Sequence, residues 1–571
     1  MNDLGVLPEQ TSNCHVFLAF EDFRLGVFIR ESSSYEDPSS EGISVGFITM
    51  CLRIPPDHVD MHYLDAFERA VDCYSDKTAL VTDDGEEVTY AELDRRGEAL
   101  AATLDEHIPG ERIATLTLNG EPATVAMVAS LKRGHANVQL AFRNSPADLA
   151  SMIETGKAAG LLFDEANAET AAKVHAQLDL DLVIATGDDA GINGALSYQE
   201  VRQAAPDREV TQADDAEFGI FFTSGTVGES KGVLFDQEQM WLGSTQVIME
   251  MSLTETDVAL MCAPWYHMFG TDAWVLPHLQ TGATLVMQPE FDPVDALAKI
   301  EQYDVTGVPA VPTQLNAMLD VLEDESYDVS SLKKIRTGGA VVPVTLIERV
   351  KEHLTEGVFN TYGCTEAGPN MTFAHPSLQE DHPGTIGKES YMWEMRVVEP
   401  APPTEDPDPA AEVEPGESGE IMVRGPGMGT GYLGNPDVKS NLIVDGWLRT
   451  KDVASLDEDG FPVVIDRVDN MLNSGGENIY PQEVERVLER HPKVDDVGVV
   501  GLPDDHWGHR IAAVISASND IDTDDLESYC IESDQLADFK RPREYVITAE
   551  ALPRTETGTL QRAKLHEYFD V

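Results

Sequence analysis

The segment Thr223-Ser224-Gly225-Thr226-Val227-Gly228-Glu229-Ser230-Lys231-Gly232 comes directly after the apolar run Gly219–Phe222. Glycines, hydroxyls and one lysine just past a buried strand can cradle a phosphate. Backbone N–H groups and hydroxyls donate to phosphate oxygens, and the lysine adds charge. The segment is not a Walker A loop, because counting from Gly225 puts Ser230 rather than glycine before Lys231. Taken alone, such a loop reads equally well as a plain turn.

Segments further along the chain give the loop a context. In order come Pro264-Trp265-Tyr266-His267, Gly338-Gly339-Ala340, Tyr362-Gly363-Cys364-Thr365-Glu366, Gly416-Glu417-Ser418-Gly419-Glu420, Gly446-Trp447-Leu448-Arg449-Thr450-Lys451-Asp452 and Asp466-Arg467-Val468-Asp469. Together with Ser474-Gly475-Gly476-Glu477-Asn478-Ile479-Tyr480-Pro481 these segments resemble the motifs of the adenylate-forming superfamily, which includes acyl-CoA synthetases, peptide-synthetase adenylation domains and luciferases. That family's phosphate loop reads T-S-G-T-T-G-x-P-K-G. This chain matches it at Thr223, Ser224, Gly225, Thr226, Gly228, Lys231 and Gly232, and departs at Val227 and Ser230.

The resemblance implies roles. His267 would line the acyl pocket. Gly338, Gly339 and Ala340 would turn beside adenine and the acyl chain. Tyr362, with Gly363 after it, would stack on adenine, Thr365 would bind phosphate, and Glu366 would hold Mg²⁺, a hard ion suited to a carboxylate. Asp452 would accept from the ribose hydroxyls and Arg467 would contact ribose or phosphate. Asp469 would be the pivot of a domain swing. Ser474, Gly475 and Gly476 would line the pantetheine tunnel, where glycine lets a thiol arm approach the backbone. Lys451 replaces the glycine of the family's GWxxTGD motif, so a different local backbone is expected there.

One departure bears on the chemistry. The family ends in P-x-x-x-x-G-K, whereas this chain has Pro553-Arg554-Thr555-Glu556-Thr557-Gly558-Thr559. In the family the lysine bridges the substrate carboxylate and the α-phosphate. Losing one such donor typically costs about 10²–10³ in rate. Either the first half-reaction is slow, or a neighbour such as Arg562 or Lys564 reaches in, or Thr559 is a sequence variant.

The activity so implied is that of an ATP-dependent, AMP-forming carboxylic acid–CoA ligase, with ATP, Mg²⁺ and coenzyme A as co-substrates and cofactor. The Ser474–Pro481 segment looks most like that of fatty acyl-CoA synthetases, so a medium- or long-chain fatty acid is the expected substrate. The alternatives are acyl transfer to a carrier protein, a thioester-forming half-enzyme, or an acyl-adenylate or nucleotide binder.

These residues need elements to hold them. Short apolar runs alternate with amphipathic segments from residue 61 to about 465, which predicts an α/β architecture with mostly parallel sheets flanked by helices. Expected helices include Tyr63–Val71, Asp292–Tyr303 and one after Asp236, where Asp236 and Gln239 form a capping box. Expected strands include Gly219–Phe222, Ala283–Met287 and Val305–Val308. The Pro-rich stretch 400–416 reads as a loop. The last hundred or so residues read as a small, mobile α+β domain. The expected domains are thus an N-terminal extension over 1–60, a large domain over 61–468 and a small domain over 469–571. The extension lacks sustained periodicity and reads as poorly ordered, or as a start assigned too early, with the working protein beginning near Met50 or Met61.

The 571 residues carry 39 Lys+Arg against 102 Asp+Glu, a formal charge of -63. The acidic residues are spread between apolar stretches, which fits a halophilic surface whose self-repulsion salt removes. Such a surface excludes nucleic acid as partner, since phosphate backbones need cationic patches. Six scattered cysteines without a CxxC pair suggest neither disulfides nor zinc. With no long apolar run and no signal-peptide pattern, the expected location is cytoplasmic. Nothing in the sequence speaks to oligomeric state.

Overall fold

The computed structural model describes residues 61–187, 191–205, 210, 212–223, 231–401, 405–429, 431–433, 442–474, 477–504, 507–517, 521–533, 536–554 and 560–569, and the backbone of 15–20 and 23–28. Residues 1–60 form one unit and 61–571 another. In the first, His15–Phe20 pairs antiparallel with Phe23–Phe28 as a hairpin, regular structure that the absence of periodicity did not lead one to expect.

The second unit is built on two large sheets. One has seven strands in the order Lys231–Asp236, Glu217–Thr223, Asn137–Gln139, Arg112–Leu116, Ala158–Phe163, Leu182–Ala185 and Leu196–Ser197. All of its pairings are parallel except the first, which is a hairpin. The other has nine strands, parallel from Thr78–Val81 across to Val358–Cys364 and antiparallel at both edges. Apolar side chains from both sheets and from helices Tyr63–Tyr74, Tyr90–His107, Glu121–Arg133 and Gln237–Met251 share one core that includes Phe67, Leu100, Val125, Phe221, Val247 and Trp274.

Local signals set the helix starts. Asp236 accepts from Gln239 N at 2.8 Å, and the Gln239 side chain accepts from Asp236 N at 2.9 Å, so the capping box is formed. Pro293 opens the helix Pro293–Tyr303, and the Asp292 carboxylate caps Asp295 N at 2.8 Å.

A smaller antiparallel sheet comes next, with Glu394–Val398, Ser418–Arg424, Trp447–Leu456, Ile443–Val444 and Pro462–Arg467. A last mixed sheet of Leu472–Ser474, Glu477–Ile479, Asp496–Asp504, Gly508–Ser516 and Glu544–Thr548 packs against helices Pro481–Leu488 and Thr523–Glu532 around Val484, Val499, Ile511 and Ile515. The chain is therefore α/β with a large N-terminal domain and a smaller C-terminal α+β domain, as its sequence predicts.

Candidate active site

Strand ends, the turns just past them and one strand bulge carry the candidate residues. Thr223 ends its strand and pairs in register with Lys231, so the two ends of the candidate phosphate loop are clamped by a hairpin. The loop itself, Ser224 to Ser230 with Gly225, Thr226 and Gly228, lies outside the described residues. Lys231 is exposed, and its Nζ stands 5.5 Å from the ring centre of Tyr432. The Tyr432 hydroxyl in turn donates to Glu366 Oε1. Burial beside Glu366 pushes the Tyr432 hydroxyl pKa up, so the phenol stays protonated. Tyr432 thus ties the end of the phosphate loop to the Thr365–Glu366 turn. Sequence reading missed it, because a lone aromatic in a Gly-rich stretch carries no distinguishing pattern.

Tyr362 lies at the end of the strand Val358–Cys364, and Thr365–Ala367 makes one tight helical turn beyond it. The Tyr362 hydroxyl donates to Asp452 Oδ2 at 2.6 Å, and Arg467 donates to Asp452 Oδ1 at 2.9 Å. Asp452 is buried, and burial raises its pKa while Arg467 and Tyr362 oppose the shift. Both carboxylate oxygens are therefore engaged by groups that residue spacing alone could not bring together. Arg467 remains 47% exposed, so its guanidinium also faces solvent.

Asp452 is aimed by a bulge. Glu420 pairs with Val453 and Met422 with Arg449, so a two-residue step on one strand faces a four-residue step on the other. Lys451 sits in the bulge at φ +64°, in the left-handed region. The backbone there keeps a glycine-like conformation although the glycine is gone.

His267 comes after the strand Val258–Met261 and a turn closed by His267 N donating to Pro264 O at 3.2 Å. Its ring lies 4.5 Å from that of Tyr266. Burial, with Arg143 adding to it, lowers its pKa to about 4, so the imidazole is neutral at physiological pH. Gly338 and Gly339 end the strand Lys334–Gly338 at φ +153° and +74°, and Ala340 continues the turn. A side chain on Gly338 would run into the Thr361 carbonyl oxygen of the neighbouring strand.

Between the two domains, Val468–Asn470 forms a single tight turn that contains the backbone of Asp469. Ser474 ends a short strand, while Gly475, Gly476 and Thr559 lie outside the described residues. Arg562 is committed elsewhere. It donates to Glu485 Oε2 at 2.8 Å and to Val499 O at 2.9 Å. Of the two neighbours considered for the task of the missing lysine, exposed Lys564 is the one left without such a commitment among the described residues.

A cation fits beside Glu366, because its second oxygen accepts no hydrogen bond among the described residues. No three His, Cys, Asp or Glu side chains converge on a metal position among the described residues.

Residues 67–433 match the family described as AMP-binding enzyme, and residues 483–559 match the AMP-binding enzyme C-terminal domain. The chain is 32% identical over 491 residues to a feruloyl-CoA synthase from Amycolatopsis sp, covering 85% of this chain and 94% of that one. It is 30% identical over 501 residues to a 4-chlorobenzoate–CoA ligase from Arthrobacter sp, covering 86% and 92%. Among solved structures, the o-succinylbenzoate CoA synthetase of Bacillus subtilis in complex with its acyl-adenylate superposes with a TM-score of 0.75 at 28% identity, covering 88% of this chain and 97% of that one. A double mutant of the same enzyme bound to a product analogue gives 0.62 at the same identity, covering 88% and 98%.

Proposed function

The chain belongs to the AMP-binding enzyme family, and from that premise we propose that it activates a carboxylic acid through an acyl-adenylate to an acyl-CoA thioester. Its relatives are acid–thiol ligases, and the class of reaction is theirs. The observation that carries the mechanism is the position of Asp452, held between Tyr362 and Arg467 beside the Glu366–Tyr432–Lys231 connection.

In the proposed mechanism the substrate carboxylate attacks the α-phosphate of ATP and pyrophosphate leaves. Thr223 to Lys231, Thr365 and Arg467 hold phosphate oxygens, Gly338 to Ala340 and Tyr362 hold adenine, and Asp452 holds ribose. Mg²⁺ at Glu366 would neutralise phosphate charge. Such chemistry is mostly positioning and charge neutralisation. Neutral His267 lines the acyl side without adding a charge. The domain beyond residue 468 then turns about Asp469, and Ser474 to Gly476 guide the CoA thiol to the acyl carbon, releasing AMP. A swing of this kind lets one pocket serve two reactions.

For the acid, the relatives weigh against a fatty chain. Ferulate, chlorobenzoate and succinylbenzoate all carry a ring. We take a ring-bearing acid as the substrate class in place of the fatty acid suggested by Ser474–Pro481. Thr559 favours one second reading, a protein proficient in thioester formation and impaired in adenylation.

The test is acid-dependent AMP formation with ATP, Mg²⁺ and CoA in molar KCl, over ring-bearing and C2 to C18 acids. Wild type and Thr559→Lys are run side by side. AMP and acyl-CoA are expected in equal amounts, with Thr559→Lys faster by about 10²–10³. A fast wild type that Thr559→Lys does not improve would mean that another group does the lysine's work. Silence from both folded proteins across the panel would overturn the ligase reading.

A further inference from the structure

Five residues past His267 the chain makes a wide turn. Ala273 N donates to Met268 O and Val275 N to Gly270 O, both at 3.0 Å, which are i to i+5 bonds. Such a widening turns a side chain off its normal helical path and is frequent at functional sites. The side chain it redirects is Asp272, only 2% exposed.

The Asp272 carboxylate is half satisfied. Oδ2 accepts from Asn370 Nδ2 at 2.8 Å, and Asn370 Oδ1 accepts from Arg336 at 2.7 Å. Oδ1 has no hydrogen-bond partner among the described residues. A buried acceptor left unmade costs free energy, so its retention asks for an explanation.

Oδ1 faces a narrow cavity with room for about one water molecule, walled by Gly243, Gln246, Ala367, Gly368, Asn370 and Trp393. Asp272, five residues past His267, and Ala367 to Gly368, directly after Glu366, are thus part of its lining, together with the helix Gln237–Met251. Space is kept open by an unusual choice. Gly243 lies inside the helix Gln237–Met251, where glycine costs about 1 kcal/mol relative to alanine. A Cβ on Gly243 would stand 2.9 Å from Oδ1 and would close the opening.

We infer that Asp272 and this cavity receive the far end of the acid, and that they select a ring bearing a hydroxyl group, whose O–H donates to Oδ1. This rests on the ligase reading. A hydroxyl suits the site better than an ammonium group for two reasons. The room is that of one oxygen, and Arg336 already faces Asp272 with a positive charge. Arg336 is itself spent on Ala273 O, Pro369 O, Asn370 Oδ1 and Thr361 Oγ1, so it holds Asn370 and leaves Asp272 as the acceptor.

The experiment compares kcat/KM for matched pairs: benzoate with 4-hydroxybenzoate, phenylacetate with 4-hydroxyphenylacetate, and cinnamate with 4-hydroxycinnamate. In the best pair, assayed at pH 8 where the Asp272 carboxylate is ionised, the hydroxylated acid is expected to win by about 10- to 100-fold, the ratio for one hydrogen bond to a charged acceptor. Asp272→Ala should bring that ratio to within about threefold of one, on the same argument. Gly243→Ala, which keeps the Asp272 carboxylate but fills the space in front of it, should do the same and guards against a defect caused by loss of the carboxylate itself. A wild-type ratio near one overturns the inference, as does a ratio unchanged in both folded variants, which would mean that the cavity holds a structural water only. In either case AMP formation with both acids persists, whereas failure of the ligase reading leaves no acid-dependent AMP with any acid.

Discussion

Lys451 shows what a single residue bears for the site. At φ +64° a residue with a Cβ is about 1–2 kcal/mol worse off than in the right-handed region. The bulge that aims Asp452 at Tyr362 and Arg467 imposes that conformation. Lys451→Gly is expected to stabilise the protein by about 0.5–1 kcal/mol, less than the full strain because glycine gains freedom in the unfolded chain. Thermal melting measures it, and AMP formation should be retained. Asp272 gives a second prediction at this scale. Burial raises its pKa to about 7, opposed by Arg336 and by the Asn370 hydrogen bond, with the buried Tyr63 hydroxyl also nearby. Between the ordinary carboxylate value and about 7, the folded protein keeps a proton that the unfolded chain has lost. The stability from this group is therefore present at acid pH and is lost as pH rises through 7. Asp272→Asn cannot titrate, so the melting temperature of wild type should fall relative to the variant between pH 5 and pH 8. An unchanged difference would place the ionisation elsewhere.

Elements meet where the two domains join. The helix Pro481–Leu488 has no side-chain cap of its own at its start. Asp466, from the strand Pro462–Arg467, supplies one by accepting from Gln482 N at 2.9 Å. Its other oxygen accepts from Asn470 Nδ2 at 2.8 Å and Arg467 N at 2.7 Å. One carboxylate thus fixes the turn that holds Asp469, the residue bearing Arg467, and the first helix of the small domain. Asp466→Ala removes three hydrogen bonds to part-buried donors and is expected to cost about 1–2 kcal/mol. Faster proteolytic release of the small domain at constant temperature is the readout, and a cleavage rate equal to wild type would refute the coupling.

At the scale of the whole molecule two facts stand out. The fold lies nearer to a relative holding its acyl-adenylate than to the same relative holding a product analogue, with TM-scores of 0.75 and 0.62 at equal identity and near-equal coverage. The formal charge of -63 is the other fact. In dilute buffer the Debye length of about 10 Å at 0.1 M lets neighbouring carboxylates repel, and at 1 M it shrinks to about 3 Å. The melting temperature should therefore rise steeply from 0.1 M to 2 M KCl and then flatten. A melting temperature independent of salt would detach the acidity from stability.

Much of this protein is decided locally. The capping box at Asp236 and Gln239, the proline start at Pro293 and the alternation of apolar runs fix helices and parallel strands because each depends on residues within one or two turns. Ordered motifs fix the family for the same reason, since each is a contiguous run of a few residues. Other features join residues far apart in the chain, and spacing says nothing about them. Tyr362 meets Asp452 across 90 positions, and Tyr432 meets Glu366 across 66. Asp272, inside an apolar run, reads as an oddity until Asn370 and Arg336 are brought to it. Lys451 looked like a change of backbone, yet the pairing of two strands holds the glycine conformation and lets the side chain bear the strain. Contiguous sequence settles what one turn or strand will be, whereas the burial and facing of distant groups, which set their charge and their partners, exist only once the sheets have packed.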